Sequence, residues 1–137
     1  MSVYASRFKS RLDRDGVIYD EEENGLISIV FSMDNAKSVR VYVDFDDDVE
    51  NLVSFGSFAL GEFPVSMRSK AIVLCNEMNG TYRWVKFYLN DDKRCIVASA
   101  NAILDEEICD QESVEYLMAL LEVIDEVYPA FMKARWA

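Results

Sequence analysis

The chain is 137 residues long, enough for one domain of about 100–150 residues around a single core. Hydrophobic residues make up 51% and charged residues 28%, a balance that excludes a disordered chain. With 25 acidic against 14 basic residues the net charge is −11. That charge disfavours nucleic acid and anionic membrane surfaces, which are bound through Lys and Arg, and favours a partner with basic patches.

In chain order, Tyr4, Phe8 and Leu12 recur every four residues and predict a helix over Ser2 to Asp13, with Gly16 as a left-handed cap. Val17 to Asp20 is a short candidate strand, and Asn24-Gly25 marks a hairpin turn. Three strands follow at Leu26–Met33, Val39–Phe45 and Asn51–Leu60, each alternating apolar and polar side chains. Turn-sized separators join them into an antiparallel meander with one buried face. Pro64 opens a helix whose stripe is Met67, Ala71, Leu74, Cys75 and Met78, ending at Asn79-Gly80. Tyr82–Leu89 and Arg94–Ala102 predict a second hairpin about Asn90-Asp91-Asp92-Lys93. A long helix, with Asp110 as its N-cap, carries apolar positions from Val114 to Met132. Pro129 inside it predicts a kink or break after Val127 or Tyr128. The order α-β-β-β-α-β-β-α defines an α+β domain over residues 1–137, with helices packed on one face of an antiparallel sheet.

Chemistry is sparse in this pattern. The chain has no histidine, which removes the commonest general base and most zinc chemistry. Gly56 to Gly61 has two glycines but no following Lys-Ser/Thr, so it fails as a phosphate loop. The acidic run Asp44 to Glu50 fails as a calcium loop, because Val49 and Phe55 stand where Gly and Glu are needed; it reads as a solvated turn. No catalytic residue, metal ligand or cofactor is therefore assigned. Cys75, Cys95 and Cys109 are widely spaced and odd in number, as reduced, buried thiols of a cytoplasmic protein would be. No stretch approaches the ~18 apolar residues of a membrane span, and Met1 to Arg7 lacks the apolar run of a signal peptide. The aromatic residues Tyr82, Trp84 and Tyr88, with Lys86 between, fall on one face of a predicted strand. If exposed they make a partner-binding platform; if covered by a helix they are core.

The run Leu74 to Asn79 followed by Arg83 to Asp92 resembles the centre of YbjN-like domains, where a helix ending in Asn-x-x-Asn leads to an aromatic strand and an acidic turn. Tyr19 to Glu22, Val39 to Asp46, Phe63-Pro64 and the final helix from Asp110 with its late Tyr-Pro also match that family's order. The resemblance covers most of residues 8 to 135. It implies a bacterial sensory-transduction regulator with a fold similar to type III secretion chaperones, which are small acidic proteins that dimerise and bind extended segments of a client. The expected function is thus a non-enzymatic, cytoplasmic regulatory or chaperone-like protein that binds a protein or peptide client as a homodimer. The alternative is a small-molecule or metal-sensing regulatory domain that uses the sheet's concave side.

Overall fold

The computed structural model describes residues 2–136. Helix α1, Val3–Arg14, starts where the Ser2 side chain accepts the Ala5 N–H at 3.1 Å, and it buries Tyr4, Phe8 and Leu12 as the spacing predicts. The first strand, β1, is only Asp20–Glu21, later and shorter than expected, and Ile18 before it is 88% exposed. Asn24 and Gly25 both have positive φ, 69° and 78°, in the short 3-10 segment Glu23–Gly25 that joins β1 to the next strand. Strands β2 (Ile27–Phe31), β3 (Val39–Phe45) and β4 (Leu52–Ser57) form the meander. Their register sets Val43 between Ile27 and Phe55, so the apolar halves of all three strands share one face.

Pro64 does not open the next helix itself. It precedes a 3-10 turn, Val65–Met67, and α2 runs from Arg68 to Thr81, past Asn79-Gly80. Ala71 and Cys75 are its buried residues, with Met67, Leu74 and Met78 packed beside them. Strand β5, Lys86–Asn90, begins four residues later than predicted; β6 is Cys95–Ile103. A further 3-10 turn, Glu106–Ile108, capped by the Asp105 carboxylate, leads into α3, Cys109–Trp136. Asp110 therefore lies in the first turn of α3 rather than capping it.

Pro129 does not break α3, which continues through it to Trp136. A proline cannot donate to the carbonyl four residues earlier, here Asp125. That carbonyl instead accepts Nδ2 of Asn35 at 3.1 Å, while the Asp125 carboxylate accepts the backbone N–H groups of Asn35 and Ala36, each at 2.8 Å. The β2–β3 loop thus replaces the missing helical bond.

All strand pairings are antiparallel, in the order β1-β2-β3-β4-β6-β5. The β5–β6 hairpin attaches through its second strand, so β5 becomes an edge. Phe8, Phe55, Phe87 and Phe131 are among the fully buried side chains between the sheet and the helices, with Phe87 and Phe131 rings 5.8 Å apart. The architecture is the α+β fold with an antiparallel sheet expected from the element order.

Candidate functional site

Helices cover one face of the sheet; the opposite face is open. Alternation along each strand sends Tyr42, Asp44, Ser54, Gly56, Lys86, Tyr88, Ser99 and Asn101 to that open face. Pairing sets Tyr42 opposite Gly56, Gly56 opposite Ser99, and Ser99 opposite Lys86. The middle of the face is therefore a floor of small residues, Ser54, Gly56 and Ser99, between taller walls. On the β3 side, Tyr42 meets Phe58 edge to face at 6.2 Å between ring centroids. On the β5 side stand Lys86 and Tyr88, and Lys93 Nζ lies 4.8 Å above the Phe58 ring. The trough encloses about 770 Å³ and its lining also includes Glu22, Asp44 and Val97.

Charge is divided across this trough. Lys86 and Lys93 have no carboxylate within ion-pair distance among the described residues. Asp44 lies away from them, across the sheet on β3, and its carboxyl is pushed up by burial and then by the charges of Asp47 and Asp46. Glu22 is tied to the network, accepting from Ser28 Oγ at 3.1 Å, and Arg40 donates to the same hydroxyl at 3.1 Å.

The structure does not keep Tyr82, Trp84 and Tyr88 on one face. Trp84 has a left-handed backbone, φ 73°, which breaks strand alternation before β5 starts. Its indole N–H donates to the Asn101 carbonyl at 2.9 Å and its ring lies 5.0 Å from Tyr116 of α3. Tyr82 caps the end of α2, half-buried on the helix side, its ring 6.4 Å from Phe87. Burial, and then a hydrogen bond with Glu126, raise the Tyr82 phenol above its usual range. Tyr88 alone of the three reaches the open face, 45% exposed. Sequence reasoning passed over Tyr42, Phe58 and Gly56. Their signal was the polar half of the strand alternation and a glycine inside a strand.

All three cysteines are buried and unpaired with one another. Burial pushes the Cys75 thiol up to about 11, and raises Cys95 and Cys109, so each is a neutral thiol at pH 7 rather than a nucleophile. Among the described residues no group of three or more His, Cys, Asp or Glu is placed to hold a metal ion. A separate apolar surface lies on the outer side of α2 and the turn before it, where Val65, Ile72 and Val73 are exposed. No helix among the described residues is long and apolar enough to cross a membrane.

Solved structures share this architecture. A chain of the HopA1–SchA chaperone–effector complex is 12% identical with a TM-score of 0.60, over 98% of this chain and 94% of that one. A chain of the ExsC–ExsE complex is 13% identical with a TM-score of 0.59, over 93% and 97%. The fold is thus the type III secretion chaperone-like α+β fold.

Within that fold the family can be stated. The crystal structure of YbjN from E. coli is 17% identical with a TM-score of 0.70, over 93% of this chain and 92% of that one. Residues 6–133 match the YbjN family, described as "Putative bacterial sensory transduction regulator", and the chain belongs to that family. No curated protein sequence matches it.

Proposed function

We propose that this protein is a non-enzymatic regulatory or chaperone-like protein that binds another polypeptide, and that it works in the cytoplasm as a homodimer. The observation that carries the reading is the open sheet face. Three helices crowd one side of the sheet, and the other keeps a trough walled by Tyr42, Phe58 and Tyr88. Aromatic residues held on rigid strands, as Tyr42 and Tyr88 are, or just past a strand end, as Phe58 is, supply contact area at low entropic cost, as binding hot spots do. Similarity to chains from a chaperone–effector complex and from the ExsC–ExsE complex supports a protein partner. For the homodimer, the outer side of α2 and the turn before it offer Val65, Ile72 and Val73, exposed at 63%, 41% and 58%, a patch of the kind that marks association sites.

The test is affinity capture from cell extract followed by mass spectrometry, with light scattering on the purified protein. The expected results are a polypeptide recovered by the wild type and lost with Tyr88→Glu, and a mass near twice the 15.7 kDa chain that falls toward one chain in Val73→Glu. A monomer that recovers nothing above the control would sink the proposal.

A further inference from the structure

Gly56 is the next-to-last residue of β4, paired on one side with Tyr42 and on the other with Ser99. The β4–β6 register runs through it without interruption, so it marks no bulge on that side, while the β3–β4 pairing ends at it. Its φ is not among the positive ones, and a Cβ built there meets nothing within 4 Å. Neither the backbone nor the packing of this chain requires glycine at this position. A glycine within a strand weakens a sheet, and one reason for keeping it is the close approach of something else. The space above it is the trough, with Ser54 and Ser99 continuing the low floor.

Resting on the polypeptide-binding reading, we propose that the trough holds an extended acidic segment of the partner, with a large apolar side chain over Gly56 between Tyr42 and Tyr88 and a carboxylate beside it facing Lys86 and Lys93. The trough follows the strands from Ser54 to Phe58, about 13 Å at the usual rise, which suits four or five residues of extended chain. Tyr42 and Lys86 lie in one row across the sheet, with only Gly56 and Ser99 between them. In a chain with 25 acidic residues, two lysines without a carboxylate partner beside an aromatic wall supply the complementary charge. Asp44 and Glu22, on the opposite side of the trough, repel the same carboxylate and so fix its placement.

The experiment pans a displayed library of random seven-residue peptides on the full-length protein. Enriched sequences, made as labelled synthetic peptides, are then titrated by fluorescence anisotropy. Enriched peptides are expected to place Phe, Leu, Trp or Tyr next to Asp or Glu. Gly56→Val fills the floor in open space with a good strand former, so its melting temperature should match or exceed that of the wild type while peptide affinity falls about tenfold or more. The double variant Lys86→Glu/Lys93→Glu should weaken the same peptides to a similar degree. Enrichment of basic peptides, or affinity within about twofold of wild type in a folded Gly56→Val, would overturn the assignment while leaving polypeptide binding in place. Failure of the wild type to enrich any peptide, together with an empty capture from extract, would remove both.

Discussion

At the scale of single residues, Asn79 shows how this fold closes a vulnerable edge. Its Nδ2 donates to the Phe87 carbonyl at 3.0 Å and its Oδ1 accepts the Phe87 N–H at 2.7 Å. One side chain thereby imitates the backbone of a neighbouring strand along the outer edge of β5, where unpaired groups invite pairing with other chains. Asn79→Ala removes both bonds and should cost about 1–2 kcal/mol in denaturant unfolding. Amide exchange should quicken at Phe87 and not at Val97 in the strand beside it. Unchanged exchange at Phe87 would mean that the edge is held by something else. The sequence showed Asn79 only as part of an Asn-x-x-Asn pattern at a helix end; its work on β5 depends on a tertiary approach that no local spacing encodes. Trp84 failed for a related reason. Period-two patterning assumes that every residue stays extended, and one left-handed residue at φ 73° turned three apparently aligned aromatics toward three different surroundings.

At the scale of elements, the parts set by local patterning were legible and the joints between them were not. Strand Val39–Phe45 has the bounds its alternation implies, because one face is fully buried and a slip by one residue would invert it. The stripe Tyr4, Phe8 and Leu12 buries as its spacing requires. The insertion of β6 between β4 and β5 was not readable, since a hairpin carries no local mark of which strand meets the sheet. Helix α3 was misjudged at Pro129 because the compensating donor lies 90 positions away in sequence, at Asn35. That arrangement makes a specific energetic coupling. Asn35→Ala removes the donor to the Asp125 carbonyl but leaves the backbone bonds to the Asp125 carboxylate. It should cost about 1 kcal/mol in the natural sequence. In a Pro129→Ala background, alanine's restored N–H can serve that carbonyl, and the cost of losing Asn35 should shrink by about 0.5–1 kcal/mol. A double-mutant cycle by chemical denaturation reads this directly, and strict additivity would show that the Asn35 side chain does not substitute for the helical bond.

At the scale of the whole molecule, a chain of net charge −11 must hold its helical layer together against its own repulsion. It does so in part through an ionic clasp where α1 meets the start of α3, formed by Arg7 and Arg11 with Asp110 and Asp15. Arg7 donates to Asp110 at 2.8 Å, to the Glu107 carbonyl at 3.0 Å and to the Glu106 carbonyl, while Arg11 reaches Asp110 at 3.2 Å and Asp15 at 3.0 Å. For Asp110, burial works against the charge, but the Arg11 hydrogen bond, its own backbone N–H, the Arg7 charge and the Gln111 N–H together hold its carboxyl below the usual range. Hydrogen bonding from Arg11 does the same for Asp15. A carboxyl whose pKa is lower in the folded than in the unfolded chain binds fewer protons when folded. Its contribution is therefore fully present above the unfolded value of about 3.9 and is lost as pH falls through the folded value. Asp44 has the opposite sign: its raised pKa is relieved, and the fold gains, as that carboxyl takes up a proton. Between neutral pH and the ordinary carboxylate range the clasp stays charged while Asp44 begins to neutralise, so wild-type stability should hold or rise slightly. Below that range the clasp is protonated and stability should fall. Asp110→Asn should melt lower than wild type at pH 7 and at pH 5, and the gap should narrow below about pH 3.5. Melting temperatures followed by circular dichroism at constant ionic strength test this, and a gap that stays the same at every pH would show that the α1–α3 contact is held by packing around Phe8 and Leu12 rather than by the ion pairs.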